Sequence, residues 1–98
     1  MILIYEKQLG IIMMMAALFV ERKIEKITRA EIAEYEKRDP GFTSIVDNMV
    51  EIGMLEEDHT GINLNENFRL DIKGDQVSPL DLYKEVSDAA RQYDMSIN

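Results

Sequence analysis

Twelve consecutive residues, Leu9 to Val20 (LGIIMMMAALFV), carry no charge, and no other stretch restricts the architecture as much. A bilayer span needs about 20 apolar residues, so a run of this length reads as a buried helix. A secretory signal would place basic residues ahead of its apolar stretch, whereas Met1 to Tyr5 carry none. Ala, Leu and Met favour helix, and Glu21, Arg22 and Lys23 return the chain to solvent, which predicts a helix over 5–23. Because the run is apolar on every side, such a helix must be covered by the rest of the domain or by a second copy of it. Its three successive Met residues tolerate imprecise packing and suit either cover.

Ninety-eight residues supply one core and not two, and small domains bury a smaller share of their surface than large ones. That arithmetic favours a homodimer. Its expected contacts come from the first helix (Leu9, Ile12, Met13, Ala16 and Phe19) and from a stripe on a last helix (Leu80, Tyr83, Val86 and Tyr93). The absence of Cys excludes disulfides and thiolate metal sites and points to a reducing, cytoplasmic setting, and a single His cannot build a multi-His centre. No metal or other cofactor is expected. Nineteen acidic against eleven basic residues give a net charge of -8, so the molecule as a whole repels polyanions.

Further along, Ile27-Thr28-Arg29-Ala30-Glu31-Ile32 holds a capping box, Thr28 with Glu31, and a hydrophobic staple, Ile27 with Ile32. It predicts a helix over 28–38, stopped by Asp39-Pro40-Gly41. Phe42, Ile45, Val46, Met49 and Ile52 recur at helical spacing over 42–52, with Gly53 as the terminating residue. Met54 to Asn65 then reads as a hairpin turning at Asp58-His59-Thr60-Gly61. Phe68 to Ile72 alternates again, as an added strand or an extended edge leaving through Lys73-Gly74-Asp75, and Ser78-Pro79 opens a last helix over 79–94.

This order predicts an α+β, mostly helical domain, and it resembles the winged helix-turn-helix superfamily, including its small MarR-like regulators. The likeness rests on Ile27 to Glu34 as the opening of the second helix. It rests also on Ser44-Ile45-Val46-Asp47-Asn48-Met49-Val50-Glu51-Ile52-Gly53-Met54-Leu55-Glu56 as a recognition helix leading into a wing. The resemblance implies a homodimeric transcriptional regulator with an apolar first helix and an extra C-terminal helix. By that likeness Thr43, Ser44 and Asn48 face DNA bases, with Arg29, Lys37 and Arg38 on the flanking backbone.

Charge points elsewhere. Between Asp39 and Asn67 there is no Lys or Arg, while Asp47, Glu51, Glu56, Glu57 and Asp58 place carboxylates on the recognition-type helix and the wing. The alternative is therefore a protein-interaction module, an acidic inhibitor or DNA mimic that docks through those five residues. No enzyme is expected: His59 sits alone in a turn, and neither a phosphate cradle, a nucleophile elbow nor a metal-ligand spacing is present.

Overall fold

A computed structural model describes residues 6–97. Its elements are α1 (Glu6–Arg22), α2 (Arg29–Arg38), α3 (Phe42–Glu51), β1 (Leu55–Asp58), β2 (Gly61–Leu64), β3 (Leu70–Ile72), β4 (Asp75–Val77) and α4 (Pro79–Ile97). The domain is α+β, with four helices and two small antiparallel hairpins, a layout compatible with the winged-helix order. Tyr5, given above as the first helical residue, lies outside the described residues.

The apolar run becomes α1, which turns Ile11, Ile12, Met15 and Ala16 inward and encloses Gln8 with them. Met13 and Met14 pack half-buried against the edge of that core, and Ala17 and Val20 are half-buried as well. Ile12 and Ala16 are fully enclosed by their own chain, which corrects their assignment to a dimer interface. The helix spacing that put them beside Leu9 and Met13 could not say which side faces inward. No helix among the described residues is long and apolar enough to cross a membrane.

At the head of α2 the capping box forms as read. Thr28 Oγ1 accepts the Glu31 N–H at 3.2 Å, and the Glu31 carboxylate accepts the Thr28 N–H at 3.1 Å. Thr28→Ala is expected to cost about 1 kcal/mol by thermal or urea unfolding, the usual loss for an N-cap hydroxyl. Phe42, Val46 and Met49 repeat every three or four residues and bury one side of α3. Gly53, at φ +88°, ends that helix in the left-handed region.

The β1–β2 hairpin pairs Leu55 with Leu64 and Asp58 with Gly61, and Leu55 and Ile62 point into the core. Ile27, between α1 and α2, adds a one-residue bridge to the free edge of β2. Its N–H donates to the Ile62 carbonyl at 2.8 Å, and the Ile62 N–H donates to the Ile27 carbonyl at 2.9 Å. A Cβ at Gly61 would lie 3.0 Å from the Ile27 carbonyl oxygen, so the close approach requires glycine there.

The segment after Asn67 differs from the expectation. It neither lengthens the first sheet nor runs alone, because Leu70–Ile72 folds back on Asp75–Val77 as a second hairpin. Lys73 and Gly74 both take positive φ, 53° and 90°, which is the backbone a two-residue hairpin turn demands. Ser78 then caps α4 by accepting the Asp81 N–H at 3.1 Å.

Candidate interaction face

The charged residues singled out in the sequence meet where the head of α2, the outer side of α3 and the β1–β2 turn converge. Arg29, the first residue of α2, grips Glu57 of β1 with two parallel bonds, Nε to Oε2 and Nη2 to Oε1, both 2.8 Å. Its Nη1 reaches Asp47 Oδ1 on α3 at 2.6 Å. One guanidinium thus joins three elements through the fork geometry that Arg supplies and Lys does not. The Glu57 bonds, followed by the one to Asp47, push the Arg29 pKa up, and the same guanidinium holds the Glu57 carboxyl below the usual range.

A second brace lies beside the first. Lys26 Nζ donates to Asp58 Oδ2 at 2.5 Å and to Thr60 Oγ1 at 2.7 Å. Asp58 Oδ1 also accepts the Thr60 N–H at 2.8 Å, the local bond that shapes an Asx-type turn. Lys26 first, and Thr60 after it, hold the Asp58 carboxyl well below the ordinary aspartate range. A depressed folded pKa adds stability that is present above the unfolded value and lost as pH falls through the folded one. Asp58 is therefore expected to titrate below 3.8 by side-chain carboxyl NMR, and to move back towards that ordinary value in Lys26→Met. An unchanged midpoint in the variant would remove Lys26 as the cause.

The N-terminus of α3 is also filled. Glu36, near the end of α2, accepts the Gly41 N–H on Oε1 at 3.2 Å and the Thr43 N–H on Oε2 at 3.4 Å. Helix N-termini attract anions through exposed amides and the helix dipole, and here a carboxylate of the same chain takes that place. Asn48 is engaged as well, since its Oδ1 accepts a 3.2 Å bond from Nε2 of the enclosed Gln8 on α1. Bidentate reading of adenine needs both ends of that amide.

The remaining expected contacts are scattered. Lys37 pairs with Glu34 at 3.0 Å on an exposed surface, and Arg38 and Ser44 are exposed nearby. Glu51 and Glu56 are exposed and take no part in either brace. Over these elements Lys26 and Arg29 stand against Asp47, Glu51, Glu56, Glu57 and Asp58, a net charge of -3 for the seven. Around the other candidate surface, Leu9 and Phe19 are partly exposed, Met13, Leu80 and Tyr83 are half-buried, and Val86 and Tyr93 are the most open, at 55% and 66%. Tyr83 fastens α4 to α1 by donating to Glu21 Oε1 at 2.5 Å, and that acceptor raises its pKa.

No protein-family model, curated protein or solved structure matches this chain. What the face can do therefore follows from its own geometry. Three features that would attract phosphate in a nucleic-acid reader, Arg29, Lys26 and the start of α3, are each occupied by a carboxylate of the chain itself. Sequence reading placed Arg29 on a DNA backbone and Glu57 on a protein partner, and the fold puts them in one ion pair. It did not pair Lys26 with Asp58, set Glu36 on the start of α3 or join Gln8 to Asn48. Helix spacing groups Gln8 with Ile11 and Ile12, three and four residues on, but only packing decides that this side of α1 turns inward. Among the described residues no group of three or more His, Asp or Glu is arranged to hold a metal ion.

Proposed function

We propose that this chain is a winged-helix-type interaction module that docks, as a homodimer, on a basic surface of another protein. The observation that carries the reading is the triple hold on Arg29 by Glu57 and Asp47, which removes the face's best phosphate ligand. The residual charge of -3 then steers cationic partners towards it and polyanions away. The Ile27–Ile62 bridge supports the winged-helix part of the reading, because it gives the hairpin a third, short strand between α1 and α2. In this view α3 and the wing keep the shape of a DNA-reading surface while presenting carboxylates to a protein.

Support for the homodimer comes from two apolar stripes. On α1, Leu9, Met13, Ala17 and Val20 all remain at least partly accessible, with Met13 also packing on the edge of the core. On α4, Pro79 and Leu82 pack towards the body, whereas Val86, Ala90 and Tyr93 continue the same stripe in exposed positions. Two copies related by a two-fold axis can lay each stripe on the other. Sedimentation equilibrium at micromolar concentration is expected to give a dimer that Val86→Glu converts to a monomer, and a wild-type monomer would end the homodimer part.

Gel-shift titration of a mixed-sequence duplex tests the docking part. No complex is expected even at low salt, and a wild-type complex weakened by Lys37→Glu and Arg38→Glu would restore the DNA-binding regulator instead. Pull-down from host extract is expected to recover a protein that no longer binds once Glu56, Glu57 and Asp58 are all replaced by Lys. Recovery insensitive to that reversal would overturn the acidic docking face.

A further inference from the structure

Away from that face, a cleft of about 450 Å³ opens between the second half of α1, the residues leading to Ile27, β2 with the loop after it, and the first turn of α4. Met15 and Ile27, 5% and 4% exposed, form its floor, and Leu18, Leu64 and Leu80 form its walls. This volume and apolar lining are those of small-molecule sites, which run from about 300 to 1,000 Å³. A helix would need a longer trough.

The polar groups at the rim decide the kind of molecule. Asn63 donates to the Leu64 carbonyl at 3.1 Å. Asn65 donates to the Gly53 carbonyl and accepts from the Asn67 N–H. Ser78 Oγ accepts the Asp81 N–H at the α4 cap, and Arg69 Nη1 is turned onto the carbonyls of Glu66 and Phe68 at 2.6 and 2.9 Å. Glu25 and Glu66 line the same cleft, both exposed, and their carboxylates make no hydrogen bond or ion pair among the described residues. Two unpaired carboxylates against one cation already held by backbone carbonyls leave the rim negative.

We propose that the cleft binds a small hydrophobic amine in its protonated form, with the apolar body between Leu18, Leu64 and Leu80 and the ammonium at Glu25 and Glu66. An anionic amphiphile of the same shape meets repulsion at the mouth, and a neutral one gains only the apolar contact. The site shares Phe19 and Leu80 with the candidate dimer surface but no residue with the Arg29 face, so its success or failure leaves the acidic docking face where it stands.

The test is a methyl-NMR titration at neutral pH with three isosteric probes: 4-phenylbutylamine, 4-phenylbutan-1-ol and 4-phenylbutyrate. The amine is expected to bind about tenfold more tightly than the alcohol, in line with a charge-assisted contact that is partly solvent-screened. The acid binds most weakly, and the perturbed methyls are those of Met15, Leu18, Leu64 and Leu80. Glu25→Gln with Glu66→Gln, both at the rim, brings the amine down to the alcohol without changing the alcohol. Leu80→Trp fills the cleft and removes both, with its melting curve recorded to show that it folds. The proposal is overturned if the acid equals the amine or if the double variant leaves the preference intact. It is equally overturned if the shifts fall on Val86 and Leu9 in place of the cleft, or if no methyl moves at millimolar probe.

Discussion

Ile62→Ala is expected to lower the free energy of unfolding by about 2–5 kcal/mol, in the upper half of that range, the span measured for large-to-small changes in tight cores. Ile62 is 1% exposed and lines a small, partly open gap together with Ile27, Ile32, Phe42, Val46 and Leu55. Truncation enlarges a gap that already exists. The backbone at this position cannot slump inward to close it, because both of its amide groups are tied to Ile27. In a domain of this size each kcal/mol shifts the midpoint by roughly 4–8 °C, so thermal unfolding should fall by tens of degrees. Ile72→Ala, at a position 37% exposed, serves as the control and should move it by only a few degrees. Comparable losses at the two sites would mean that Ile62 is not enclosed as described.

The second large effect concerns charge. Asp47→Asn and Glu57→Gln remove the two charges that neutralise Arg29, and Glu51→Lys and Glu56→Lys reverse two exposed carboxylates that take no part in the braces. Together the four changes carry the face from -3 to +3. Wild-type protein is expected to leave duplex DNA unshifted at 50 mM salt, whereas the quadruple variant binds it without sequence preference. With about three phosphates neutralised, that binding should weaken by one to two orders of magnitude between 50 and 200 mM salt. The exposed ion pairs removed are worth at most about 1 kcal/mol each, so the variant should still fold, which circular dichroism can check. A folded variant that ignores DNA at low salt would show that the surface lacks the shape of a DNA reader, and the winged-helix likeness would fall with it.

Local chemistry was legible in the sequence because its causes lie within a few residues. The Thr28–Glu31 box, the α3 periodicity from Phe42 to Met49, Gly53 as the α3 stop and Ser78-Pro79 at the head of α4 are each set by neighbours in the chain. The partners of Arg29 lie 18 and 28 residues away, and no rule of spacing joins them before α2, α3 and β1 have packed. The side of α1 that turns inward is decided the same way, which is why Ile12 and Ala16 were assigned outward. The second hairpin was obscured by composition. Its strand Asp75-Gln76-Val77 holds one apolar residue, and only the Lys73-Gly74 turn announced it.

The paired amides of Ile27 and Ile62 clasp the two ends of a closed ring of chain that contains α2, α3 and β1. Segments fastened in this way open as one cooperative unit. The protons on those two nitrogens should accordingly exchange with solvent at a single slow rate, and the ring they close should resist proteases until the whole domain lets go.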